Sequence, residues 1–168
     1  MVFNAIQCII SGTICLTGII ALIFSIKTYK HKDNVNLYFS NEEDPKFIKS
    51  KRIVYSLDEN LHSDLKIKGK KVSDDEINKA ISHIINNYHH YGLLLKHKYI
   101  PKWVFYSKSD GLTSSSISII KMYKKLKPYI EKRHGENNPK YANYFDYLIS
   151  ELKRNCPKEF EMYYLIHK

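Results

Sequence analysis

The distribution of apolar and polar positions divides the chain into an uncharged opening stretch and a long charged remainder. No charged residue occurs from Val2 to Ile26, and every Lys, Arg, Asp and Glu follows Ile26. As a helix the stretch would extend roughly 37 Å, which exceeds the ~30 Å hydrocarbon core of a bilayer. The pattern therefore predicts a single N-terminal transmembrane helix, an anchor that occupies residues 1–27.

Two other interpretations compete with an uncleaved anchor. A cleaved signal peptide has a positively charged segment before its apolar run, whereas only Met1 precedes the run here. A helix buried in a protein core seldom extends this far without a charge. The uncleaved anchor is therefore favoured over both.

The residues that flank the apolar stretch predict its orientation. Lys27, Lys30 and Lys32 follow it closely, and no positive side chain precedes it. The positive-inside rule then places the C-terminal part in the cytoplasm, where anionic lipid of the inner leaflet attracts these lysines. The expected localisation is the cell membrane, with one span and a cytoplasmic C-terminal domain.

One face of the opening stretch carries small or weakly polar residues at alternating spacings of four and three. Small residues let helix backbones approach closely in lipid, which favours pairing, although they are common in any membrane helix. The pattern predicts a self-association face and a homodimer. The residues of this face are Cys8, Ser11, Cys15 and Gly18.

The charged remainder has a helical pattern. Residues 28–40 are predicted to form a juxtamembrane basic linker or stalk, and residues 41–168 a cytosolic all-helical domain. Ser73 and Glu76 fit a capping box, in which each side chain accepts a hydrogen bond from the other residue's backbone N–H. The helix that follows has the clearest apolar period in the chain. Its expected core positions are Ile77, Ala80, Ile81, Ile84, Ile85, Tyr88, Tyr91 and Leu95.

Caps, prolines and apolar spacing predict further helices along the remainder. Pro128 lies inside one of them, and it should kink that helix because it removes a backbone hydrogen bond. No stretch has the alternation of a strand, so the domain is predicted to be an all-α bundle of four or five helices. The predicted segments are Pro45–Leu57, a short helix from Pro101, Ser116–Arg133, a helix from Pro139 that ends before Cys156, and a short final turn.

The charge balance suggests an anionic partner. The chain has 27 Lys and Arg against 17 Asp and Glu, a net charge of +10. Nucleic acid and membrane surfaces both fit such a balance, but arginine, which bidentate recognition of bases and phosphates prefers, is scarce. A nucleic-acid partner is therefore not favoured, and a solvated helix face is the commoner state of such a charge run. The candidate basic surface comprises Lys121, Lys124, Lys125, Lys127, Lys132 and Arg133.

No arrangement of residues in the sequence predicts a catalytic, cofactor-binding or metal site. His83, His90 and His97 recur seven residues apart on one helix. Each interval corresponds to about 10.5 Å of helix, which is too far for two of them to share one metal ion. Motifs for nucleotide, zinc or calcium binding are missing as well.

Four segments carry a family resemblance: DPKFIKSKRIVYSL, INNYHHYGLLLKHKYI, MYKKLKPYIEKRH and YANYFDYLISEL, which cover most of the chain from Asp44 to Leu152. In their order and character they resemble a bacterial family described as domain of unknown function 4760. The resemblance implies one N-terminal membrane helix and a short cytoplasmic helical domain, and it implies no activity. The chain departs from the family pattern at His89 and His90, where the family often carries an acid.

These features predict a membrane-anchored helical interaction or scaffold module that self-associates and contacts lipid or a protein partner. The alternative is a membrane-tethered basic nucleic-acid-binding protein that acts in stress or phage defence. A third hypothesis is an enzyme of unrecognised type, without an expected cofactor. A closed pocket with convergent histidine or acidic groups, for instance around His83 and His90, would indicate such an enzyme.

Overall fold

α-Helices and two short hairpins make up most of the chain in a computed structural model. The structure describes residues 2–57, 66–67, 70–135 and 140–165, and it describes side chains for residues 19–26, 28–29, 31–57, 71–135 and 140–165. The described elements confirm the predicted all-α class. They are α1 (Val2–Glu43), α2 (Pro45–Ser56), β1 (Lys66–Ile67), β2 (Lys70–Lys71), α3 (Asp74–Lys96), a 3-10 helix (Lys102–Val104), β3 (Tyr106–Ser107), β4 (Gly111–Leu112), α4 (Ser114–Gly135), α5 (Asn143–Asn155) and α6 (Pro157–Leu165).

The first helix corrects the predicted architecture. α1 runs unbroken over 42 residues. Among the residues that the structure describes, no helix is both long enough and apolar enough to span a bilayer. The prediction of a single transmembrane helix is therefore wrong.

Capping residues define the starts of α2 and α3. The carboxylate of Asp44 accepts a hydrogen bond of 2.8 Å from the Lys46 backbone N–H. The Ser73 hydroxyl accepts one of 3.3 Å from the Glu76 backbone N–H, and the Glu76 carboxylate accepts one from the Ser73 backbone N–H. The predicted capping box is confirmed. The helix that it opens buries every position that its period predicted, namely Ile77, Ala80, Ile81, Ile84, Ile85, Tyr88, Tyr91 and Leu95.

α3 is the central element of the bundle because it packs against both α2 and α5. Gly92 permits the contact with α5, since a Cβ atom there would lie 1.7 Å from the Tyr144 carbonyl oxygen. The C-terminal part of α1 also enters the core. There Tyr38 is fully buried, with its ring centroid 4.7 Å from that of Tyr91 and 5.4 Å from that of Phe105.

Two hairpins form where the sequence pattern predicts no strands. β1 pairs with β2, and β3 pairs with β4, each in antiparallel register. Strands of two residues are too short to produce an alternating apolar pattern, so patterning gives no signal for them. In the second hairpin Gly111 has a φ of 73°, a left-handed conformation that glycine adopts without strain.

The C-terminal helices depart from the predicted bounds. α4 continues through Pro128, and the kink expected there stays a prediction. α5 begins at Asn143, whereas its predicted first residue, Pro139, lies outside the described residues. Ala142, directly before α5, has a left-handed φ of 58°, which interrupts the helical backbone at that point. The expected final turn is a helix of nine residues, α6.

Candidate functional site

The middle of α1 exposes its apolar side chains. We call residues 19–29 the exposed segment. Of the fourteen large hydrophobic side chains that are exposed in the described part of the chain, seven belong to this segment. Exposure of large apolar side chains is therefore concentrated here rather than scattered. The seven are Ile19, Ile20, Leu22, Ile23, Phe24, Ile26 and Tyr29.

The apolar side chains of the exposed segment occupy a wide arc of the helix. At about 100° per residue, those from Ile19 to Ile26 cover about 200° of the circumference, and Ala21 and Ser25 lie on the opposite side. A helix that faces one core has an apolar stripe somewhat wider than 100°. The exposed segment therefore has more apolar surface than a single neighbouring element would cover.

The predicted self-association face lies in the same helix, immediately before the exposed segment. Cys8, Ser11, Cys15 and Gly18 belong to α1. Their side chains lie outside the described residues. The self-association face therefore stays a prediction.

A buried polar cluster lies where the C-terminal part of α1 meets α2 and α3. Glu42 and Lys51 form an ion pair in which their side chains are only 13% and 14% exposed. Burial raises the pKa of Glu42, and the hydrogen bond and positive charge of Lys51 partly offset that rise. Burial first, and then the charge of Glu42, also raises the pKa of Tyr38 and Tyr88. These phenols consequently stay neutral at physiological pH.

A pocket of about 440 Å³ opens between α2 and α3. Ser50 and His83 meet there, with the Ser50 Oγ atom 3.0 Å from the His83 Nδ1 atom. The Ser50 hydroxyl also donates a 3.0 Å hydrogen bond to the Lys46 carbonyl oxygen. Since a hydroxyl has one proton, this arrangement requires Nδ1 to be the donor toward Oγ. The neutral His83 ring then carries its lone pair on Nε2.

The His83 ring is fixed from a second side. The Phe47 ring meets it edge-on, at 5.7 Å between ring centroids. Phe47 is buried and also contacts Tyr88 of the polar cluster, at 5.7 Å. Phe47 therefore separates the pocket from the buried cluster and holds the histidine at the pocket wall.

Positive charge predominates along the pocket. Lys46, Lys49 and Lys79 line it, and Glu76 is the carboxylate among its lining residues. The Lys49 Nζ atom lies 3.3 Å from a Glu76 carboxylate oxygen. The Glu76 pKa is lowered by the hydrogen bond from the Ser73 backbone N–H and then by Lys49, so this carboxylate is ionised at neutral pH. Solvent screens the pair because both side chains are exposed.

The remaining two lysines of the pocket differ in their partners. Lys79 pairs with Asp75 at 2.6 Å, and that hydrogen bond raises the pKa of Lys79. Among the residues that the structure describes, the Lys46 ammonium has no carboxylate within 4.0 Å. The pocket therefore has an excess of cationic groups over its one lining carboxylate.

His83 and His90 of α3 and His97, directly after α3, do not converge. His83 lines the pocket, whereas His90 and His97 are exposed. Within the described ranges, no group of three His, Cys, Asp or Glu residues is arranged to hold a metal ion. Of these three histidines, His83 is the one that lines the described pocket.

Part of the candidate basic surface of α4 packs against α6. Lys121 and Lys124 each lie over a tyrosine ring of α6, with 5.8 Å from the ammonium nitrogen to the ring centroid. Lys127 forms an exposed ion pair of 3.6 Å with Glu131 on α4 itself. These three cations therefore have partners within the protein.

The other members of the candidate basic surface point to different neighbours. Lys125 donates a hydrogen bond to the Tyr55 carbonyl oxygen of α2. Arg133 lies over the Tyr129 ring and donates a 3.2 Å hydrogen bond to its hydroxyl. Lys132 is exposed. The six residues are thus distributed among contacts to α2, to α6 and within α4.

Sequence reasoning missed both the Ser50–His83 contact and the Glu42–Lys51 ion pair. Ser50 and His83 are 33 residues apart and belong to different helices, so no local spacing relates them. The only available signal was that Ser50 and His83 each lie beside buried positions of an amphipathic helix. Pairing them requires knowing how α2 crosses α3.

Comparison with known proteins identifies a family but no characterised relative. A family model described as "Domain of unknown function (DUF4760)" matches residues 12–152. No curated protein and no solved structure matches the chain. The matched range includes the exposed segment, the buried polar cluster and the pocket, and it ends before α6.

Proposed function

The chain belongs to the DUF4760 family, and from this premise we propose that it is a helical interaction module that associates with a second copy of itself through the exposed segment of α1. The family assignment supplies no activity, so support has to come from the molecular surface. The observation that carries the proposal is the cluster of large apolar side chains exposed over residues 19–29.

Such a surface favours burial against a partner. A helix that is apolar over most of its circumference is normally buried rather than exposed to water. Exposed apolar patches of more than a few hundred Å² mark interaction sites on soluble proteins. Burial of apolar surface contributes about 25 cal/mol per Å². The side chains of the exposed segment have such surface to bury, since their exposed fractions range from 45% for Ile20 to 68% for Tyr29.

Two features support a second copy as the occupant. The segment from Ile19 to Ile26 has no charge, so two like segments can meet without repulsion despite the net charge of the chain. Its arc of about 200° gives a second copy a wide apolar face to pack against. A different protein partner would be expected to meet charged or polar groups that specify it.

Replacing Phe24 tests the proposal in the full chain. Phe24 is 66% exposed, so Phe24→Glu should leave the core intact but place a charge in the proposed interface. We expect wild type to sediment as an oligomer at micromolar concentration, and Phe24→Glu to shift toward the monomer by at least tenfold in dissociation constant, which corresponds to about 1.4 kcal/mol. Sedimentation equilibrium measures both.

Trp103→Glu is the matched control, because Trp103 is 59% exposed and lies in the 3-10 helix, outside the exposed segment. It should keep the wild-type mass distribution. A monomeric wild-type protein, or equal effects of the two substitutions, would contradict the proposal. Monomers that float with lipid vesicles through Phe24 would overturn the second copy as the occupant.

The nucleic-acid-binding alternative has less support. In the candidate basic surface, Lys121 and Lys124 lie over tyrosine rings of α6 and Lys125 binds a backbone carbonyl of α2. Reaching a phosphate backbone would compete with these contacts. The scarcity of arginine points in the same direction.

A further inference from the structure

We propose that the pocket between α2 and α3 binds a soluble phosphate monoester. The pocket lies apart from the exposed segment of α1, so this inference goes beyond the proposed self-association and does not depend on it. Its ligand would present a phosphate to the lysines and a small apolar body to the pocket wall.

The charges of the pocket select for an anion. Lys46, Lys49 and Lys79 line it, against the one carboxylate of Glu76. Lys49 and Lys79 have carboxylate neighbours, but Lys46 has none within 4.0 Å in the described part of the chain. A lysine ammonium is a compact point charge with three donors, a common ligand for phosphate. An incoming phosphate would therefore meet Lys46 without first displacing an acidic side chain.

The Ser50–His83 pair adds polar groups beside these cations. Ser50 is 8% exposed, and its hydroxyl holds the His83 Nδ1 atom at 3.0 Å. With Nδ1 engaged and Phe47 against the ring, Nε2 is the nitrogen with which His83 can meet a ligand. In the neutral ring this nitrogen accepts a hydrogen bond from a ligand. The pair therefore adds a hydrogen-bonding ring nitrogen beside the lysines, and the preference for an anion comes from the lysines.

The size of the pocket indicates a ligand larger than an inorganic ion. Its volume of about 440 Å³ lies in the range of sites for small organic ligands. Ile53 and Ala80, both buried, supply apolar lining beside the charged groups. A dianionic monoester suits several cations better than a singly charged diester, because a phosphate monoester carries about −1.5 to −2 charges at neutral pH.

Titration of the whole chain with phenyl phosphate tests the assignment at about 0.15 M salt, where long-range attraction is largely screened. We expect saturable, one-to-one heat of binding, and none with phenol, which lacks the phosphate. The His83 ring resonances should shift during the titration. Lys46→Gln should weaken binding about three- to tenfold, because it removes one charged contact but leaves the backbone cap of α2 in place.

Lys158→Gln is the matched control, because it removes the same charge from an exposed position on α6. It should leave the affinity unchanged. Equal weakening by both substitutions would overturn the proposal, since binding would then follow net charge alone. Undetectable binding at millimolar phenyl phosphate, or binding only to phosphatidic acid vesicles or only to single-stranded oligonucleotide, would overturn it as well. The oligomeric state of Phe24→Glu is an independent readout, so the two proposals can fail separately.

Discussion

At the scale of single residues, Gly92 has the least room for a side chain among the glycines whose surroundings the structure describes. A methyl group there would overlap the Tyr144 carbonyl oxygen at 1.7 Å and approach the Leu148 Cβ atom at 3.3 Å. The first obstacle is backbone of α5, which no rotamer change can move away. The α3–α5 contact thus requires a residue without a side chain.

Gly92→Ala should therefore lower the free energy of unfolding by about 3 kcal/mol, a value typical of overpacking in a rigid core. Urea denaturation measures this change. Gly135→Ala provides the control, because a Cβ atom at Gly135 would meet nothing within 4 Å. A Gly92 variant as stable as the Gly135 variant would contradict the described packing of α3 on α5.

Glu42 gives the stability of the protein a pH dependence of defined sign. Burial raises its folded-state pKa above the ordinary value of 4.5, despite the opposing effect of Lys51. The folded protein therefore binds this proton more tightly than the unfolded chain does. The resulting stabilisation is complete below pH 4.5 and is lost as the pH rises through the folded-state pKa.

Glu42→Gln should remove this contribution, so that the unfolding free energy falls less steeply as the pH rises above 4.5. Urea unfolding at several pH values gives the slope. Glu43→Gln changes an exposed carboxylate one residue further on and should keep the wild-type slope. If Glu42→Gln keeps that slope too, the carboxyl group is not buried as described.

At the scale of elements, α1 is divided between solvent and core. Its exposed segment shows side chains on most of its circumference, while Tyr38 near its C-terminal end is fully buried among aromatic rings. Tyr38 packs edge-on against Tyr91 of α3 and Phe105, which connects three parts of the chain. The attachment of α1 to the bundle should therefore depend strongly on this one side chain.

Tyr38→Ala should destabilise the protein by about 3 kcal/mol or more, as large-to-small changes of buried aromatic residues do. It should also speed amide hydrogen exchange in the last turns of α1 more than in α5. The neighbouring Phe39 is 44% exposed, so Phe39→Ala should cost less than about 1 kcal/mol. Equal exchange rates in the two variants would contradict the assignment of Tyr38 as the attachment point.

The elements also differ in how far the sequence could predict them. α3 was predicted best. The capping box at Ser73 marked its first residue, and the consistent apolar period marked its buried face. The start of α5 was harder to predict, because no residue type in the sequence marks the left-handed backbone at Ala142. The hairpins were not predictable from patterning, because two-residue strands are below the length at which a period can be read.

At the scale of the whole molecule, hydropathy predicted a transmembrane helix that the structure does not support. The prediction was based on a continuous uncharged run, whereas the described helices include none suited to cross a bilayer. The candidate pocket, by contrast, is a feature that the sequence did not predict. No local pattern in the sequence marks Lys46, Ser50 and His83. They line one pocket only because α2 packs across α3.

Because α1 is unbroken, the direction in which the exposed segment faces is fixed relative to the bundle that holds the C-terminal part of the helix. Phe24 and Tyr38 lie fourteen residues apart on this helix, about 21 Å along its axis and within about 40° in azimuth. Inserting one residue between them would swing the apolar arc by about 100° around the bundle, whereas inserting seven would nearly restore its direction. The direction in which the apolar arc faces relative to the bundle is thus encoded in the number of residues between these two aromatic side chains.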